Sequence, residues 1–116
     1  MKYLLTYEAE STNAPTPEKM AAIAKFGQEM SAAGVLIMTG GLQRASKSTR
    51  VRMLEGKFSA TDGPFAETKE VIDGFALINA KSKEEAIEHA RRFMAVAGDG
   101  EGEVLQVFDG PIDGPR

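Results

Sequence analysis

The chain has 116 residues, 42% of them hydrophobic and 27% charged, with a formal net charge of -3. That is the size and composition of one soluble globular domain. Cys 0 excludes disulfides, thiolate nucleophiles, iron–sulfur clusters and zinc ribbons, and His 1 leaves a single imidazole for acid/base or metal chemistry. A balance of 14 basic against 17 acidic side chains argues against nucleic acid and anionic membranes, which call for a basic surface. The opening residues, Met1 to Glu8, lack the apolar stretch of a secretory peptide, and no segment nears transmembrane length. A cytoplasmic protein is the expectation.

Lys2 to Tyr7 alternates, with Tyr3, Leu5 and Tyr7 on one side and Leu4 and Thr6 on the other, as in a strand near the middle of a sheet. After a polar loop, Thr16-Pro17-Glu18 reads as N-cap, first-position proline and first-turn acid. The helix it starts runs to about Ala33, with an apolar stripe of Met20, Ile23, Phe26, Gly27, Met30 and Ala33 and a stop at Gly34. Val35 to Thr39 is a second strand, expected to end in Gly40-Gly41. Thr49 to Leu54 and Phe58 to Thr61 form a hairpin about a Glu55-Gly56 turn. Asp62 to Asp73 is irregular or briefly helical, and Gly74 to Asn79 is a third long strand. Ser82-Lys83-Glu84-Glu85 is a capping box, and the second helix carries Ala86, Ile87, Ala90, Phe93, Met94 and Ala97 on its stripe before Gly98 stops it. Val104 to Phe108 is the last strand. Residues 109–116 are a turn-rich tail to a single domain spanning 1–116.

The order β-α-β, hairpin, β-α-β implies a ferredoxin-like α+β sandwich, an antiparallel sheet with both helices on one face. Apolar residues on both faces of three strands then leave one sheet face uncovered. A second copy packed sheet to sheet, a homodimer, is the expected cover.

Candidate site residues concentrate in Asp62-Gly63-Pro64-Phe65-Ala66-Glu67-Thr68-Lys69-Glu70. It reads either as turn chemistry with solvated charges or as a loop that presents two carboxylates, an aromatic ring and a lysine between strands. Arg50 and Arg52 alternate with Val51 and Met53. They either protect an edge strand or, with Arg44 and Lys47 nearby, receive a carboxylate or phosphate. Tyr3, Leu5 and Tyr7 are sheet core, or line a cavity beside Phe75 and Leu77 with a phenol to offer. Gly98-Asp99-Gly100-Glu101-Gly102 follows a helix and precedes a strand, so it is no dinucleotide fingerprint. No P-loop, His-x-x-x-His or Gly-x-Ser-x-Gly pattern occurs, and neither cofactor nor metal is expected.

The nine-residue string beginning at Asp62 resembles the signature of the DGPF branch of the YCII-related family. Ala33-Gly34-Val35-Leu36 leading to Gly41-Leu42-Gln43, and the Glu103-Val104 strand, are similar to the same branch. The resemblance covers nearly the whole chain. It implies a ferredoxin-like fold of dimeric α/β-barrel type and bacterial origin, without a settled activity. Some members resemble muconolactone-isomerase-type enzymes in fold, and some DGPF domains are associated with extracytoplasmic-function sigma factors. The family's other branch carries a His–Asp pair for acid/base work. Here the sole histidine, His89, falls at the edge of a helical stripe among Glu85, Glu88 and Arg92 and reads as a surface or helix-edge residue rather than a catalytic one.

Three functions stay open. One is a small-molecule-binding or regulatory homodimer, with a small acidic ligand held by Tyr7, Arg50, Arg52, Asp62, Gly63, Pro64, Phe65, Glu67 and Lys69. The second is a cofactor-independent isomerase- or lyase-like enzyme with Asp62 as acid/base, Glu67 or Tyr7 assisting, and Lys69 or an arginine holding the substrate. The third is an accessory module for a protein partner.

Overall fold

Residues 1–10, 15–43, 49–62 and 72–108 are described in a computed structural model of the chain, with the backbone alone for Gln43, Ile72 and Asp73. The elements are β1 (Lys2–Ala9), α1 (Pro17–Ala32), β2 (Leu36–Gln43), β3 (Thr49–Leu54), β4 (Lys57–Asp62), β5 (Ile72–Asn79), α2 (Lys83–Ala97), β6 (Gly100–Glu101) and β7 (Val104–Val107). The main sheet runs β2-β5-β1, with β6 and β7 both on the free side of β1, and every pairing is antiparallel. Each β-α-β half is therefore split by a strand of the other half. This is the ferredoxin-like α+β arrangement, with both helices on one face.

Local chemistry sets the helix ends. The Thr16 side chain accepts from the Lys19 amide at 3.1 Å ahead of Pro17, and Ser82 accepts from the Glu85 amide at 3.1 Å. Gly34 takes the expected positive φ of 77°. The hairpin turns through Glu55 (φ 50°) and Gly56 (φ 78°), a type I′ geometry that matches strand twist.

Register fixes the two faces of the sheet. Tyr3 pairs with Ile78 and Leu5 with Ala76 on the helix side, while Leu4 pairs with both Leu77 and Leu105 on the other. Tyr3, Ile78, Ala80 and Ala86 form the buried core, with Leu5, Val35, Leu36, Ala76 and Val104 packed against it.

Several expectations are corrected. β2 does not stop at Gly40-Gly41 but continues to Gln43, because Gly40 and Gly41 pair with Phe75 and Gly74. A Cβ on Gly40 would stand 2.9 Å from the Phe75 ring, so glycine there makes room for the ring rather than ending the strand. No periodicity in the sequence marks the two-residue β6. It forms where Gly100 and Gly102 lie close on the backbone of β1, and a Cβ on Gly102 would fall on the Thr6 carbonyl oxygen. Met20 and Ile87 are exposed, so each helical stripe is narrower than its apolar residues suggest.

Replacing Gly102 by Ala must push the chain off β1, where the Glu103 amide also donates to Thr6 Oγ1 at 2.9 Å. The expected loss is roughly 2 kcal/mol or more, the range for steric overpacking. Ser82→Ala should cost about 1 kcal/mol, as a lost N-cap does. Denaturant midpoints at constant slope measure both.

Candidate functional site

One helical turn separates the residues that α2 directs at the sheet: Ala86, then His89 and Ala90, then Phe93 and Met94, then Ala97. From α1, Ile23, Phe26, Gly27 and Met30 face them. Between these helices and the sheet lies a cavity of about 430 Å³, which also meets Leu5 and Tyr7 on β1 and Thr39 and Gly40 on β2. Its wall is almost wholly apolar. The polar residues that border it are few: Thr6, Tyr7, Lys19, Thr39 and His89.

Three rings build one side. Tyr7 meets Phe93 edge-on, with centroids 5.3 Å apart, and Phe93 lies 6.3 Å from Phe26. The Arg92 guanidinium sits over Phe26 at 5.6 Å. The Tyr7 hydroxyl reaches both the Gly98 and Asp99 carbonyls, at 2.9 and 3.1 Å, and thereby ties β1 to the end of α2. Burial, with help from the Asp99 charge, holds the phenol above its ordinary range of ionisation. Its proton is kept for those carbonyls.

His89 departs most from the sequence reading. It is not a surface residue: its side chain is 14% exposed and lines the cavity. Both ring nitrogens are buried without a hydrogen-bond partner. The nearest carboxylate oxygen, from Glu85 one turn earlier, is 3.6 Å from Nε2, beyond hydrogen-bond length. The missed signal was register. Three and four residues from His89 lie Ala86 and Phe93, both on the inner stripe, whereas of its charged neighbours Glu88 is exposed and paired with Arg91. Lys19 lines the same cavity. A Cβ on Gly98 would stand 2.8 Å from its ammonium, which places that charge at the C-terminal end of α2.

The sequence-derived candidates lie in different places. Tyr7 is in the cavity wall. Arg50 and Arg52 are exposed on the β3–β4 hairpin, opposite Thr61 and Ser59. Asp62 is exposed at the hairpin's base, where it accepts from Thr49 Oγ1 at 2.7 Å, and it does not line the cavity. Gly63, Pro64, Phe65, Glu67 and Lys69 lie outside the described residues. Among the described residues no group of three or more His, Asp or Glu could hold a metal ion, and no helix is long and apolar enough to cross a membrane.

Because the folded chain holds the Tyr7 proton more tightly than the unfolded chain, the unfolded state loses it first as pH rises. Stability should therefore decline above about pH 10, the ordinary phenol value. Tyr7→Phe should remove that part of the decline and cost about 1 kcal/mol at pH 7 for the lost hydrogen bond. Unfolding curves from pH 7 to 11 check both.

Comparison with known proteins places the chain. The YCII-related domain matches residues 1–110, and the chain belongs to that family. An uncharacterised protein of Rhizobium meliloti (strain 1021) is 41% identical over 59 residues, which are 51% of this chain and 48% of the relative. That match spans about half the length of the curated relative. Among solved structures, CutA from Xylella fastidiosa aligns at 13% identity and a TM-score of 0.48, over 95% of this chain and 86% of that one. A divalent cation tolerance protein from Thermus thermophilus aligns at 9% identity and a TM-score of 0.45, over 96% and 88%.

Proposed function

We propose that this YCII-related chain, of the DGPF branch, is a small-molecule-binding or regulatory homodimer. Its ligand is a compact apolar body carrying one acidic group, held between helices and sheet. The observation that carries this reading is His89, with both nitrogens buried and unpartnered in an apolar cavity of about 430 Å³. An unsatisfied buried donor or acceptor costs roughly 1–3 kcal/mol, which a ligand supplying the partner recovers. Lys19 offers a positive charge on the same cavity, so a carboxylate suits it better than a neutral amide. Gly74, two residues after β5 begins, also borders the cavity.

Self-association is supported by the sheet face away from the helices. Leu4 and Leu77 are half-buried there, while Met38 and Leu105 are 57% and 43% exposed. Covering large apolar side chains is worth about 1.5–3 kcal/mol each, and packing two such faces together covers them all. The enzyme reading with Asp62 as acid/base has less support, because Asp62 is exposed and engaged with Thr49.

The test is a thermal-shift series of small aliphatic and aromatic carboxylic acids and their amides. Acids that bind should raise the melting temperature of the wild type by several degrees at saturation, about 3 kcal/mol at a hundredfold excess over Kd. His89→Leu should be at least as stable as wild type without ligand and should lose the response. Loss in Asp62→Ala with His89→Leu unaffected would move the site to the segment that Asp62 begins. No response from any acid would overturn the reading. Turnover of a binding acid would make the chain an enzyme.

A further inference from the structure

The β3–β4 hairpin stands apart from the body. Its strands pair with each other and with no other strand among the described residues, and all twelve strand residues are exposed. Six residues a side give an arm of about 20 Å. The Cα radius of gyration is 16.4 Å, where a compact chain of this length has about 13 Å.

The arm is two-faced. Val51 opposite Ala60 and Met53 opposite Phe58 make one side apolar, and Val51, Met53 and Phe58 are 65%, 65% and 64% exposed. Arg50 opposite Thr61 and Arg52 opposite Ser59 make the other side basic, with Lys57 at the tip. An isolated two-stranded hairpin is marginal in water, so this arm needs cover.

Charge says what covers it. Residues 44–57 contain five of the fourteen basic side chains and one of the seventeen acidic ones. That is a net +4 within a chain of -3, so the body is strongly acidic. The acidity has a focus: Glu8 and Glu101 are directly opposed across β1 and β6, an unfavourable like-charge pair. With Glu103 they line a polar groove of about 330 Å³ at the end of the sheet, next to Leu42 and Gly74. None of these three glutamates has an ion pair among the described residues. The Leu42 position continues, through the β2–β5 register, the same outer face that carries Met38 and Leu77.

We infer that the arm of each protomer docks on a second copy of the chain, its cations meeting Glu8, Glu101 and Glu103 in the groove beside Leu42. The inference rests on the reading that the chain is a homodimer and adds which segment is exchanged. Two-fold symmetry makes the contact reciprocal, so both arms are covered at once.

Charge reversal with rescue tests it. Arg52→Glu and Glu101→Arg should each weaken dimerisation about tenfold by sedimentation equilibrium, and the double variant should recover most of the affinity. Because the chain has Cys 0, mixed Arg52→Cys and Glu101→Cys proteins should also form one disulfide-linked heterodimer under mild oxidation. Circular dichroism confirms that each variant folds. Single reversals without effect, or a double variant no better than the singles, would overturn arm docking. If Leu4→Glu dissociates the dimer while every arm variant leaves it intact, the sheet faces associate and the arm does not. A wild type that stays monomeric at all concentrations sinks both. Salt-sensitive retention on heparin that Arg52→Glu abolishes, with the dimer unchanged, would assign the arm to a polyanion instead.

Discussion

The edge-to-face contact of Tyr7 with Phe93 is the strut on which the helical layer stands. Phe93 reaches from α2 to β1 on one side and toward Phe26 of α1 on the other, and α1 contributes no buried residue of its own. The Tyr7 hydroxyl then ties the end of α2 to the sheet through two carbonyls. Large rings at one end with Gly27, Gly40, Ala76, Ala90 and Ala97 around the rest hold the layers apart and leave the space between them unfilled. Protein interiors are ordinarily packed to crystal-like density, so an apolar space kept open by aromatic rings is a property of this layer rather than slack.

The same economy governs the other face. Among the described residues the sheet and two helices bury four side chains, which is a small core. Leu4, Met38, Leu77 and Leu105 belong to strands whose opposite side is already committed to the helices, and strand geometry puts alternate residues on opposite faces. Apolar residues on both sides of the central strands therefore leave a sheet face that the helices do not cover.

Short-range chemistry made much of this legible in the sequence. Thr16-Pro17, Ser82, Gly34 and Glu55-Gly56 each act within four residues, and each behaves as the residue types require. What escaped reading depends on partners distant in the chain. Gly40 lies within a strand because Phe75, thirty-five residues later, crosses it. Gly102 is glycine because Thr6 lies beneath it. His89 reads as a flank residue because Glu85, Glu88 and Arg92 surround it in sequence, yet its angular position on the helix points it inward. The ring of Tyr7 was legible as a cavity wall. The occupation of its hydroxyl by Gly98 and Asp99 was not, since that bond spans more than ninety residues.

Asp62 connects the two unfinished parts of the molecule. It is the last residue of the arm, and its bond to Thr49 Oγ1 clamps the two strands where they leave the body. It is also the first residue of the Asp62–Glu70 string, and β5, where the chain re-enters the sheet, runs past Gly74 at the cavity. A side chain that closes the hairpin base sets the direction of whatever the hairpin carries. Wherever the arm rests, it therefore also sets where the Asp62–Glu70 string starts.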